Sequence, residues 1–218
     1  MGIYVLSEEQ LAANKEEFIS LLRSISREGA DIEGLLEELE KSDFYYAPAS
    51  TKYHGAYVGG LVDHSLNVFY NMMHLVKYKK NLPAECYDED SIKIIALLHD
   101  LAKMNQYERT FQNKKVYCSR EESKLFDDNG NFKWVSEPGF KTREDHLVYG
   151  SHEMNSELRA RKYIPLTMQE SSAILHHMGG MAWDSAKDNI SEVYAKYPLA
   201  LFVFMADCMA TYVDEQTF

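Results

Sequence analysis

The chain has 218 residues, of which 45% are hydrophobic and 26% charged, enough to bury a core as one domain or as one domain with a small insert. Acidic side chains outnumber basic ones 34 to 23, and the formal net charge of -11 disfavours long nucleic acid as the main partner. Three isolated cysteines, Cys86, Cys118 and Cys208, read as structural thiols of a reducing compartment, and Glu8 and Glu9 interrupt any signal-peptide pattern, so a cytoplasmic location is expected.

Ser7 and Gln10 form a capping-box start, followed by Leu11, Phe18, Leu21 and Leu22 at helical spacing. A second helix is expected over Asp31 to Lys41, with Leu35, Leu36 and Leu39 on one face. Residues 1–45 thus read as packing helices without chemistry. Phe44 to Gly60 carries Pro48, Ser50, Gly55 and Gly59-Gly60 and reads as a loop. A long helix follows with Leu61, His64, Leu66, Val68, Phe69 and Met72. Asp88 to Asp90 cap the next helix, whose Ile94, Ile95, Leu97 and Leu98 run straight into His99-Asp100, as expected of a helix buried nearly all round.

From Asn105 to Asp145 the pattern changes. Val116-Tyr117, Leu125-Phe126 and Phe132-Lys133-Trp134 flank Asp127-Asp128-Asn129-Gly130, a strong hairpin-turn signal, so a small β excursion is expected between helices. It reads as a lid or as a surface hairpin. Helices return over 145–162, 167–178 and 191–213, the last broken at Pro198. The apolar stretch Pro198 to Val213 is short for a membrane span and contains Asp207, so no membrane partner is expected. Its Leu201-Phe202-Val203-Phe204 run suits either core or the interface of a homo-oligomer. The expected fold is therefore all-α: a helical bundle formed by 46–104 and 146–218, with a β-hairpin insert around 106–145.

Seven residues set in apolar, helix-like stretches are potential metal ligands: His64, His99, Asp100, His152, His176, His177 and Asp207. Burying an unpaired charge costs several kcal/mol, and a bound metal compensates. Two ions a few ångströms apart need a bridging carboxylate and several neutral imidazoles. Adjacent residues on a helix point about 100° apart, so His99-Asp100 could grip from two sides, with Asp100 as the bridge. Plainer roles stand beside these. A lone His64 would suit a hydrogen-bonded core position, His152 a helix cap, and either of His176 and His177 could merely orient the other. Lys103 could face solvent, and His54 could make a backbone bond. Trp183 could stack on a nucleobase or fill core, while Arg143 and Lys141, at the end of the insert, could meet a phosphate. His74 and His146 read as surface residues.

The order His64, His99-Asp100, His152, His176-His177, Asp207 resembles the HD-domain superfamily of metal-dependent phosphohydrolases. Leu98-His99-Asp100-Leu101-Ala102-Lys103 is similar to its central signature, and Gly59-Gly60-Leu61-Val62-Asp63-His64-Ser65 to the segment with its first histidine. The resemblance spans Tyr53 to about Tyr212. It implies one divalent transition metal (Mn, Fe, Ni, Co or Zn) held by His64, His99, Asp100 and Asp207, and a second held by Asp100, His152, His176 and His177. It further implies a helical bundle with ligands on facing helices, and metal-activated water attacking a phosphoester of a nucleotide or short nucleotide-derived substrate, with Lys103 on the phosphate. His54 would contact substrate or give a proton to the leaving oxygen, and Trp183 and Arg143 are further candidate substrate contacts. Alternatives within the superfamily are a 3′–5′ exonuclease on short single-stranded oligonucleotides, a di-iron oxygenase and a non-catalytic regulatory protein.

Overall fold

A computed structural model describes residues 6–146, 150–181 and 189–215. Ser7 accepts from the Gln10 backbone N–H and Gln10 reciprocates, starting α1 (Glu8–Arg23) as its sequence predicts. The Asp31 carboxylate accepts from the Gly34 N–H at the start of α2 (Ile32–Lys41), whose Leu35, Leu36 and Leu39 are buried. Gly59, in the left-handed region at φ 80°, then admits the chain to α3 (Gly60–Lys77). Here the backbones approach closely: a Cβ on Gly60 would lie 2.0 Å from the Gly55 carbonyl oxygen.

Helix α4 (Glu89–Leu98), capped by Asp88, is buried on nearly every side from Ser91 onward, as its continuous apolar run requires. It packs on α3, and α8 (Pro198–Met209) packs on both, so these three helices enclose the core. Helix α5 (His152–Tyr163) begins under a Ser151 cap, and α6 (Met168–Leu175) under a Thr167–Glu170 capping box. The short α7 (Ile190–Lys196) meets α8 at Pro198, where the chain turns by 111°. That is the expected break, because proline starts a helix well and continues one badly. Phe202 and Val203 are buried in the core, with Leu201 and Phe204 half-buried. No single helix among the described residues is long and apolar enough to cross a membrane.

An all-α description is too narrow. Strands β1 (Tyr107–Tyr117) and β3 (Gly130–Thr142) pair antiparallel from Tyr107–Thr142 to Tyr117–Phe132, and β2 (Phe126–Asp127) adds to β3 across the Asp128-Asn129 turn. The turn and the extent of the insert are where the sequence puts them, but the strands are longer than their short apolar runs mark. Strand β1 lacks alternating apolar residues; register along β3 supplies what its composition does not. Ion pairs bind the arm to itself, with Lys114 on Glu137, Lys115 on Asp127, Lys133 on Glu122 and Lys141 on Glu108. At its root Asn105, at φ 59°, and Asp43 exchange bonds: the Asn105 N–H donates to Asp43 Oδ1 at 2.6 Å, and the Asp43 N–H to Asn105 Oδ1 at 3.2 Å.

Candidate metal centre

Six of the seven expected ligands meet between α3, α8 and the ends of α4 and α6. His64 projects from α3 and Asp207 from α8, with His64 Nε2 3.3 Å from Asp207 Oδ1. The expectation that His99 and Asp100 lie on one regular helix needs correcting. Helix α4 stops at Leu98, His99 caps it, and Asp100 has φ -108° and ψ 19° before a single tight turn over Leu101–Lys103. This break aims the Asp100 carboxylate across the cluster. Likewise α6 ends at Leu175, so His176 and His177 lie on the chain that leaves it. His152 is the first residue of α5.

Each oxygen of Asp100 faces a different imidazole pair. Oδ2 lies 3.4 Å from His99 Nε2 and 3.7 Å from His64 Nε2, while Oδ1 lies 3.7 Å from both His152 Nε2 and His177 Nε2. Within the pairs, the Nε2 atoms of His64 and His99 are 3.3 Å apart, and those of His152 and His177 are 3.2 Å apart. Donors bound about 2.1 Å from one ion lie roughly 3.0–3.4 Å from each other, so these spacings fit shared cations. Two trios of ligand atoms, His64/His99/Asp207 and His99/Asp100/His177, lie wholly within 4.8 Å.

The tautomers point the same way. His99 Nδ1 is 2.8 Å from the Ala96 carbonyl and His177 Nδ1 2.8 Å from the Ile174 carbonyl. A carbonyl oxygen only accepts, so each Nδ1 carries the hydrogen and each Nε2 presents a lone pair to the centre. Asp100 Oδ1 is buried with no hydrogen-bond partner among the described residues. Lone pairs and an orphaned carboxylate oxygen converging in this way repel one another unless a positive charge sits among them.

Side-chain electrostatics agree. Burial opposes a charge on His64, but the carboxylates of Glu215 and Asp207 on either side override it and push the ring up to about 10. Burial would raise Asp100 and Asp207, yet Lys103 and His99 hold the first, and His64 the second, well below the usual carboxylate range. Burial, with His99 alongside, pushes His177 down.

The other expected residues divide. Lys103 Nζ lies 2.6 Å from Asp100 Oδ2, and that carboxylate holds its pKa up against burial. His54 stands beside His64, ring centroids 5.0 Å apart; burial first, then the charges of His64 and Lys103, depress it to about 4. A ring kept neutral at that value suits a hydrogen-bonding contact rather than the proton-donor role. His176 is half-buried with Nδ1 2.8 Å from the Ser172 carbonyl, and it belongs to neither trio. Arg143 is exposed and forks onto Asp145, outside the cavity described below, and Lys141 pairs with Glu108. His74 is exposed, His146 half-buried, and Trp183 lies outside the described residues.

Asp100, Lys103, His54, His152 and Asp207 open onto a cavity of about 760 Å³. Tyr53, Tyr57, Tyr107, Tyr212, Met178 and Met181 give it aromatic and apolar walls, and Lys52 brings a second cation. Sequence reasoning missed Glu215, whose Oε1 lies 2.8 Å from His64 Nδ1. Its only signal was an acidic residue closing the apolar run that carries Asp207. Comparison with protein-family models, characterised proteins and solved structures returns no match for this chain.

Proposed function

We propose that this chain is an HD-type phosphohydrolase that holds two divalent transition metal ions and hydrolyses a phosphoester of a nucleotide or short nucleotide-derived molecule. The observation that carries the reading is Asp100, whose two carboxylate oxygens each face a separate pair of imidazole nitrogens. His64, His99, Asp100 and Asp207 would hold one ion; Asp100, His152 and His177 would hold the other, with His176 as its remaining expected ligand. Ions bound there would supply Lewis acidity and would lower the pKa of water toward neutrality.

The chain's own residues do the rest. Lys103, half-buried beside Asp100 and opening onto the cavity, would take a non-bridging phosphoryl oxygen and offset its growing negative charge. Neutral His54 offers a hydrogen bond to the same group. The tyrosine and methionine walls suit a planar base, while Lys52 suits a second phosphate. A cavity of about 760 Å³ suits a nucleotide or dinucleotide, in keeping with an acidic chain that repels long polyanions.

The test is purified protein loaded with manganese, assayed on an aryl phosphodiester and on a panel of nucleotides, cyclic dinucleotides and short oligonucleotides. Turnover that is lost on chelation, restored by metal and abolished in Asp100→Ala is expected. Undiminished turnover by that variant would refute the assignment.

A further inference from the structure

Four imidazoles of the cluster have a Nδ1 that must be held if Nε2 is to face the centre. Backbone carbonyls hold His99 and His177, and His152 Nδ1 lies 3.4 Å from its neighbour Glu153 Oε2. His64 differs: its Nδ1 meets a carboxylate 151 residues away in the chain, Glu215 Oε1 at 2.8 Å. The Glu215 side chain is 1% exposed, and its Oε2 has no hydrogen-bond partner among the described residues. Burying a carboxylate this way is costly unless it serves a charged neighbour.

Local structure is bent to put it there. Helix α8 widens into a π-turn over Ala210–Asp214, closed by the Glu215 N–H donating to the Ala210 carbonyl at 3.0 Å. Eight residues of regular helix would carry position 215 roughly 80° round from Asp207. The wider turn winds that back, so Asp207, Thr211 and Glu215 address one face, where Thr211 Oγ1 donates to Asp207 Oδ1 at 3.3 Å. Gly55 completes the enclosure, since a Cβ there would stand 3.4 Å from Glu215 Oε2.

We infer that Glu215 is a positioning residue: its carboxylate accepts from His64 Nδ1 and so fixes the ring with Nε2 toward the centre, and its charge raises the affinity of the His64/His99/Asp207 side for a cation. The affinity half rests on the dinuclear reading above; the orientation half does not. Two divalent ions bring four positive charges against the two negative charges of Asp100 and Asp207, and Glu215 narrows that mismatch. Outer carboxylates of this sort are typically worth about 10–100-fold in metal affinity.

The experiment uses full-length protein and the variants Glu215→Gln and Glu215→Ala, with Asp214→Ala as a control that breaks only the neighbouring Asn71–Asp214 bond of 2.7 Å. On metal-free protein, proton–nitrogen NMR should show a slowly exchanging, hydrogen-bonded Nδ1–H on His64 in the wild type and in Asp214→Ala, and should lose that signature in Glu215→Ala. By calorimetry with Mn²⁺, Glu215→Ala should weaken one of two ions by about 10–100-fold, and Glu215→Gln should weaken it less. An unmoved His64 pattern in folded Glu215→Ala overturns the inference, as does equal loss of affinity in Asp214→Ala, which would mark a merely loosened turn. Wild-type protein that binds no ion would sink the dinuclear reading instead, and the NMR comparison would still decide for or against the positioning role.

Discussion

Replacing Asp100 by asparagine tests the bridge without opening a cavity, because the two side chains have nearly the same shape. Asparagine keeps one carbonyl oxygen and puts an amide N–H₂ where the other oxygen stood, so it can serve one imidazole pair only. In the wild type, Oδ2 serves His64 and His99 within 3.7 Å and Oδ1 serves His152 and His177 at 3.7 Å. The variant should therefore retain at most one ion per chain by elemental analysis. A ligand at a hundred times its dissociation constant stabilises the fold by about 2.7 kcal/mol. For a chain of 218 residues that is roughly 5–11 °C in Tm per ion, so Mn²⁺ should raise the wild-type Tm about twice as far as that of Asp100→Asn. Phosphodiesterase activity should fall by at least about 10³-fold, near 4 kcal/mol of barrier. Metal-free Asp100→Asn should also melt lower, since Lys103, 2.6 Å from Asp100 Oδ2, loses its counter-charge. Two tight ions, a wild-type metal-induced shift and undiminished turnover in Asp100→Asn would together refute the bridging argument.

Lys103→Met should weaken substrate saturation and turnover by about 10²-fold while leaving two ions bound, as steady-state kinetics and elemental analysis can check. Gly60→Ala drives a Cβ to 2.0 Å from the Gly55 carbonyl oxygen, and should cost about 1–3 kcal/mol in urea unfolding. Away from the site, Glu170 is fully buried and bonded by Arg27 at 2.6 and 3.0 Å, by Ser91 and by the Thr167 N–H. Burial would raise its pKa, but those donors bring it below 4.5. A depressed carboxylate gives stability that is fully present above its unfolded value and is lost as pH falls through the folded one. Glu170→Gln should thus be less stable at neutral pH by about 3 kcal/mol, and its stability should fall less steeply than the wild type's below about pH 5 in acid titrations followed by circular dichroism.

Caps and apolar faces were open to reading from residue types alone. Ser7 with Gln10, Asp31, Asp88 and Pro198 mark helix limits by chemistry that acts within four residues, so the sequence displays it directly. Convergence of His64, His99, Asp100, His152, His177 and Asp207 was legible only as a pattern, since no local rule brings residues over 140 positions together. What escaped notice depends on geometry rather than composition. The halt of α4 at Leu98 is invisible because the apolar run continues unbroken to His99. The reach of Glu215 depends on a π-turn that no residue in Ala210–Asp214 advertises. Strand β1 carries Arg109, Gln112, Asn113, Lys114 and Lys115, and its length comes from pairing with β3.

The Asp43–Asn105 clasp has a mechanical consequence. Only Met104, Asn105 and Gln106 separate Lys103 from the first residue of a strand that runs eleven residues outward, so any sway of the arm would otherwise pull on Asp100 as on the short end of a lever. Two opposed bonds at Asn105 tie that point to Asp43, between the arm and the carboxylate. A longer or shorter arm would leave Asn105 clasped to Asp43 and the segment behind it where it stands.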